Sequence, residues 1–217
     1  MRRLLVIGLL LSAGLLGAGA VVVSQSKVEP QAIAASVTRT SALLERAWQL
    51  PVAATFNRQL AWQSNGSLCG PASVANVNRS LGDSADTERK VLFHTGWCWT
   101  GYCIIGLTLD ELAAVARRNT ERSVTVLRDL TQEQFREHLR RSNDLTRRYI
   151  VNFTRKAIFG AGGGHHSPLG GYLEAEDLVL VLDVNRDFEP WLVERERLFA
   201  AVDTFDGNKK RGLLLIE

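Results

Sequence analysis

Up to about residue 148 the apolar positions recur at spacings of three and four, the period of helices packed on one side. Beyond it they fall into short runs of Val, Ile, Leu and Tyr separated by Gly, Asp, Asn and Pro, the pattern of strands. The chain opens on neither pattern. Met1-Arg2-Arg3 precedes an apolar and small-residue stretch from Leu4 to Val23, with Ala18-Gly19-Ala20 as a cleavage candidate. That stretch is also about as long as a bilayer-spanning helix needs, so residues 1–23 are expected to be a signal peptide or a membrane anchor. Residues 24–40 are small and polar without a sustained period and read as a linker, which leaves one domain over 41–217.

Within that domain, Ser41 to Trp48 has an N-cap followed by apolar residues at helical spacing and ends before Pro51. Cys69 to Leu81 reads as a helix: Pro71 stands in the first turn, Val74, Val77 and Leu81 share a face, and Gly82 supplies a stop. Cys69 then lies at a helix N-terminus. Thr108 with Glu111, and Thr131 with Gln134, are capping boxes that predict helices over 108–118 and 131–141. Strands are expected over Tyr149–Thr154, Ser167–Tyr172, Leu178–Val184 and Gly212–Ile216. Helices first and antiparallel strands afterwards predict an α+β protein of two packed lobes with a groove between them.

Composition supports a folded domain, with 46% hydrophobic and 23% charged residues. The formal charge of +3 includes Arg2 and Arg3; without them 24 basic residues face 23 acidic ones, or +1. A surface so near neutrality gives no reason to expect a nucleic-acid partner.

The three cysteines are Cys69, Cys98 and Cys103, and in an exported chain an odd count leaves one without an intramolecular partner. Cys98 and Cys103 are close enough in sequence to close a small disulfide loop in an oxidising compartment, or to stay reduced and buried. Cys69 is the thiol placed for reactivity, because the N–H groups and positive dipole end of a helix lower a thiol pKa. Gln63, six residues earlier, could aim an amide N–H at an oxyanion beside the backbone N–H of Cys69.

Of four histidines, His138 reads as a surface residue of its helix and His94 as structural. His165 and His166 follow Gly160-Ala161-Gly162-Gly163-Gly164, where backbone can approach a ligand closely, and they begin a strand. No further His or Cys stands at ligand spacing from them, so no metal site is expected. Asp183 interrupts the apolar run from Leu178 to Val184. A carboxylate there needs a partner, and the imidazole of His165 suits it if the two strands form a hairpin; a turn cap is the other reading.

These residues resemble the phytochelatin synthase family, whose catalytic domain has a papain-like fold. The matching segments are Gln63 through Cys69-Gly70, Val151-Asn152-Phe153-Thr154-Arg155, Gly164-His165-His166-Ser167-Pro168-Leu169-Gly170-Gly171-Tyr172, and Leu182-Asp183-Val184. Asp183 follows His165 by eighteen residues, as in the family. The resemblance implies Cys69 as nucleophile, His165 as general base and acid, Asp183 as its orienter and Gln63 as oxyanion donor. It implies a substrate site at Arg155, Gly164, Asp206 and Arg211, the last two binding a γ-glutamyl group, with the loop between them two residues shorter here.

The implied chemistry is attack on the Cys–Gly bond of glutathione, release of glycine and a γ-glutamylcysteinyl thioester on Cys69. Water would then give γ-glutamylcysteine, and a second glutathione would give a phytochelatin. No cofactor is implied for acylation; cadmium or zinc would enter as glutathione thiolate complexes. The leader, and the lack of the Cys-rich C-terminal region of plant members, point to a short bacterial-type member, exported to the periplasm or anchored facing it, in which hydrolysis dominates. A homodimer stays open. The competing expectations are a papain-like peptidase acting on longer peptides and a periplasmic thiol or metal-binding module without catalysis.

Overall fold

The structure, a computed structural model, describes residues 27–93, 95–96 and 106–217. The leader, His94, Cys98 and Cys103 lie outside the described residues. The helices before the main sheet are α1 (Pro30–Ser36), α2 (Ser41–Trp48), α3 (Cys69–Leu81), α4 (Glu88–Leu92) and α5 (Leu109–Arg117). Then come β1 (Val124–Leu127), α6 (Gln132–Arg141), β2 (Arg148–Thr154), α7 (Arg155–Phe159), β3 (Gly164–Leu173), β4 (Leu178–Val181), β5 (Trp191–Glu194) and α8 (Arg195–Val202). A two-stranded ribbon, β6 (Phe205–Asp206) and β7 (Lys209–Lys210), leads into β8 (Gly212–Ile216).

Six strands form one antiparallel sheet in the order β1-β8-β2-β3-β4-β5. Successive side chains of a strand point to opposite faces, and here both faces are covered. Ile150, Leu180, Leu214 and Ile216 pack with α2, α3 and α5, while Tyr149, Val151, Phe153 and Leu213 pack with α6, α7 and α8. This is why the strands read as apolar runs and not as an alternation. The α+β class is as expected. The division into a helical half and a sheet half is less sharp, because β1 lies in the first part of the chain and α8 in the last.

The stretch expected as a linker is a correction. From Val28 onward it belongs to the fold: α1 opens with Pro30 at its first position, Val28 and Ile33 are buried in the core that holds α7, and Thr38 bridges to Leu192 at the β5 edge. Two apolar side chains in a polar stretch suffice once a groove receives them. The bridge also covers the outer edge of β5, a place where unpaired backbone groups otherwise invite association. Among the described residues no helix is long and apolar enough to cross a membrane.

Candidate active site

Helix α3 is the element that carries the thiol. Every residue from Cys69 to Asn78 is buried, and Gly82 ends the helix in the left-handed conformation at φ 76°. Gly70 lets the first turn approach α5, since a Cβ there would stand 3.0 Å from Leu112 Cδ1. Ser73 fixes the helix to the sheet: its Oγ lies 2.7 Å from Cys69 O and 3.0 Å from His166 O. Asn76 binds the main chain of Ala61 through both ends of its amide, at 2.9 and 2.8 Å, and so holds the segment that leads to Gln63. Gln63 N in turn donates to Val184 O at 2.9 Å, and Val184 packs on Cys69 and Ala72.

Strand β3 supplies two imidazoles and the turn after β4 supplies the carboxylate. The β3–β4 pairing brings His165 Nε2 to 3.0 Å from Asp183 Oδ1, as the expected hairpin requires. Asp183 is fully buried and is also bonded by Arg155 Nη2 at 2.9 Å, the backbone N of Asn185 at 2.9 Å and Trp191 Nε1 at 3.1 Å. Burial by itself would raise its pKa; the charges of Arg155 and His165 and the donors around it outweigh burial and hold the carboxyl below its ordinary value. With Nε2–H directed at Asp183, Nδ1 is the nitrogen of His165 left for the sulfur.

Cys69 is 5% exposed and both imidazoles act on it. Burial pushes the thiol up, but the charge of His165 and the imidazole of His166, whose Nδ1 is 3.8 Å from the sulfur, bring it well below its ordinary value. His165 moves the other way. Burial and Arg155 lower it, and Asp183 and the Cys69 sulfur more than offset them, so it is raised. The two shifts together describe a thiolate beside an imidazolium, the form in which a cysteine is nucleophilic.

The sulfur opens on a cavity of about 310 Å³ whose wall includes His166, Gly164, Glu111, Asp206 and Arg211. Arg211 Nη1 lies 3.0 Å from Asn152 Oδ1 and 3.1 Å from Asp206 Oδ2, and Asn152 Nδ2 donates to Asp206 at 3.2 Å. A Cβ at Gly164 would stand 2.5 Å from Arg211 Nη1, so a larger residue there would have to displace the guanidinium. One wall thus carries a cation and a carboxylate in a fixed relation.

Of the expected site residues, Cys69, Gly164, Asp206 and Arg211 line the cavity, and Gln63, His165, Asp183 and Arg155 do not. Arg155, expected to line the substrate site, is buried behind Asp183, its guanidinium carbon 3.4 Å from the Phe188 ring centroid. It begins α7 directly after β2, which turns it into the core beside the Asp183 turn. Gln63 donates Nε2–H to Asn65 O at 2.9 Å, leaving one amide hydrogen uncommitted and Oε1 without a partner. His138, expected at the surface, is half-buried with Nδ1 3.1 Å from the Tyr149 hydroxyl. The sequence reading missed Trp191, which has no local signal, and Asn152 and Glu111, the latter absorbed as half of a capping box. Among the described residues no group of three His, Cys, Asp or Glu could hold a metal.

An antiparallel sheet packed on a helix with a thiol at its N-terminus, and an imidazole–carboxylate pair on the sheet, defines a papain-like α+β domain. The peptidase domain of Streptococcus ComA, a bi-functional ABC transporter of a quorum-sensing pathway, shares the fold at TM-score 0.50 and 17% identity, over 73% of this chain and 96% of that one. The phytochelatin synthase profile matches residues 23–213, and the chain belongs to that family. Among its relatives, glutathione gamma-glutamylcysteinyltransferase of Schizosaccharomyces pombe is 25% identical over 74% of this chain and 42% of its own length. Glutathione gamma-glutamylcysteinyltransferase 3 of Lotus japonicus is 30% identical over 71% and 35%, and glutathione gamma-glutamylcysteinyltransferase 1 of Arabidopsis thaliana 26% over 88% and 43%. The chain spans less than half the length of these curated relatives.

Proposed function

We propose that this chain is a glutathione γ-glutamylcysteinyltransferase-type enzyme that cleaves the Cys–Gly bond of glutathione through a thioester on Cys69. The observation that carries the reading is the cavity itself, where the buried thiol shares a wall with the Asp206–Arg211 pair. The γ-glutamyl head of glutathione bears an α-ammonium and an α-carboxylate, and that pair offers each an opposite charge. A wall of fixed charges suits a small zwitterion better than an extended peptide, which weighs against a peptidase of longer substrates. The volume, about 310 Å³, sits at the lower end of the roughly 300–1,000 Å³ usual for small-ligand sites.

In this mechanism the Cys69 thiolate attacks the cysteinyl carbonyl carbon, and the oxyanion takes hydrogen bonds from the backbone N–H of Cys69 and the free amide hydrogen of Gln63. His165 gives its proton to the glycine nitrogen as the C–N bond breaks, and glycine leaves. Asp183 holds the ring so that this proton sits on Nδ1. In the second half, water gives a proton to His165, its oxygen bonds to the thioester carbon, and γ-glutamylcysteine departs as the C–S bond breaks.

The reading includes a preference for water over the amine of a second glutathione, for which one small cavity is the support. Cadmium or zinc enters it as the thiolate complex of that second substrate. It also includes action outside the cytoplasm, which rests on the apolar stretch from Leu4 to Val23 and is tested by fractionating expressing cells. For the chemistry, the protein is incubated with glutathione, with and without cadmium, and the products are resolved by mass spectrometry. γ-Glutamylcysteine and glycine in equal amounts are expected; polymer in excess overturns the preference for water, and retention of turnover by Cys69→Ser overturns the nucleophile.

A further inference from the structure

A second imidazole stands at the nucleophile with no part in the steps above. His166 is 3% exposed, its Nδ1 is 3.8 Å from Cys69 Sγ, and it lines the cavity beside Gly164 and Arg211. Its Nε2 is buried without a hydrogen-bond partner. A buried N–H with no acceptor is harder to hold than a bare ring lone pair. The lone Nε2 therefore fixes the tautomer: the proton sits on Nδ1, the nitrogen that faces the sulfur.

His165 differs on this point. Its Nε2–H has Asp183 as acceptor, so it can take and give a proton at Nδ1 without leaving a buried group unmatched. The backbone of His166 is held as firmly as its ring, since it pairs with Asn152 across the sheet and its carbonyl accepts from Ser73 on α3.

We propose that His166 is a catalytic residue, a fixed Nδ1–H donor to the Cys69 sulfur that stabilises its negative charge before attack and again as it leaves the thioester. The first role stands on geometry alone; the second rests on the thioester reading above. When water attacks, the electron pair of the breaking C–S bond goes to Sγ and the water proton goes to His165. The charge that develops on Sγ meets the His166 N–H, while His166 transfers no proton. A sulfur stabilised in this way is a better leaving group, which favours turnover of the acyl-enzyme.

The experiment compares the full-length wild type with His166→Phe, which keeps a flat ring and removes the donor, and His166→Asn, which restores an N–H near the Nδ1 position. Iodoacetamide labelling of Cys69 is followed against pH by peptide mass spectrometry. The other charged groups at the sulfur and cavity, His165, Arg211, Asp206 and Glu111, are common to all three proteins, so the readout is a difference between variants. Phe is expected to move the labelling midpoint up by about one pH unit, a loss of about tenfold in rate below the midpoint, and Asn to return most of it. With glutathione, glycine release at a pH below the midpoint should fall by about tenfold in the Phe variant and largely return in Asn. An unchanged midpoint in Phe, or an Asn variant that follows Phe, overturns the donor role. Labelling needs no substrate, so a shifted midpoint with no glycine released from glutathione by the wild type overturns the glutathione reading instead and leaves the donor standing.

Discussion

Arg155 Nη2 lies 2.9 Å from Asp183 Oδ1, the same oxygen that His165 Nε2 meets at 3.0 Å. One carboxylate oxygen thus answers two cationic groups in a place almost closed to water. The guanidinium is pinned in turn by the face of Phe188, so Arg155 fixes where Asp183 stands and Asp183 fixes the ring.

A positioning residue of this kind should act on kcat and not on KM. Arg155→Met is expected to lower kcat by about 10- to 100-fold, as loss of an outer-shell orienting group commonly does, with the KM for glutathione little changed because Arg155 does not line the cavity. Arg155 also opposes the proton on His165. Removing its charge lets the His165 pKa rise further, so the alkaline limb of kcat/KM should move to higher pH. An Arg155→Met enzyme with normal kcat, a raised KM and an unmoved limb would place the arginine on the substrate after all.

Asp183 gives a stability signature at acid pH. Its folded pKa is depressed, so its contribution is present above the unfolded value, about 3.9, and is lost as the pH falls below that toward the folded value. His165, whose folded pKa is raised, works at the other end: its contribution is full below about 6.5 and is lost as the pH rises through the raised value. Asp183→Asn should cost about 3–5 kcal/mol near neutrality, because it leaves the buried Arg155 charge unpaired. Urea unfolding of both proteins from about pH 7 to pH 2.5 should show that gap narrowing below about pH 4. A gap constant to the lowest pH would mean that the native fold does not depress the Asp183 pKa.

The parts of this site that were legible in sequence are those whose signal is local. Cys69 shows itself by a polar, glycine-containing approach to a helix start, His165 by the glycine run before it, and Asp183 by being the one acid in an apolar strand. Arg155 was legible as a residue of interest but not in its role, since Asp183 is 28 residues away and Phe188 meets it only in the fold. Trp191 and the short strand β5 have the same character: four residues ending in Glu194 carry too little pattern to announce a strand, and the indole finds Asp183 only through the β4–β5 pairing. Helix α1 reads as polar linker because just two of its neighbourhood's apolar side chains, Val28 and Ile33, are buried, and burial depends on a groove formed by α7 and its surroundings. His166 stands beside His165 in the sequence, but its relation to the sulfur depends on how α3 crosses β3 through Ser73.

The indole of Trp191 offers a probe of the second carboxylate oxygen. Its Nε1–H is 3.1 Å from Asp183 Oδ2, and Trp191 is fully buried against Phe153 and Phe159 with edge-on ring contacts at 5.8 and 5.7 Å. Trp191→Phe keeps an aromatic ring but removes the donor and leaves a gap. The expected result is a loss of stability of about 2–4 kcal/mol, from the cavity and the unmet carboxylate oxygen together, and a fall in kcat without a change in KM. Equal kcat at a temperature where both proteins are folded would show that Oδ2 has no say in holding the ring.

Gly164 tests the charged wall without touching the nucleophile. It has ordinary strand geometry, so alanine is not excluded by backbone conformation; the obstacle is Arg211, whose Nη1 would lie 2.5 Å from the new methyl carbon. The guanidinium cannot swing aside freely, because Asn152 and Asp206 hold it and only 9% of the residue is exposed. Gly164→Ala should therefore displace Arg211 from Asp206 and disturb the pair assigned to the γ-glutamyl head. The expected outcome is a KM for glutathione raised by about tenfold or more, the equivalent of losing one charge-assisted contact, with kcat changed much less. Were KM to keep its wild-type value while kcat fell, the glycine would be serving the sulfur and its imidazoles, and the Asp206–Arg211 wall would lose its claim to the substrate.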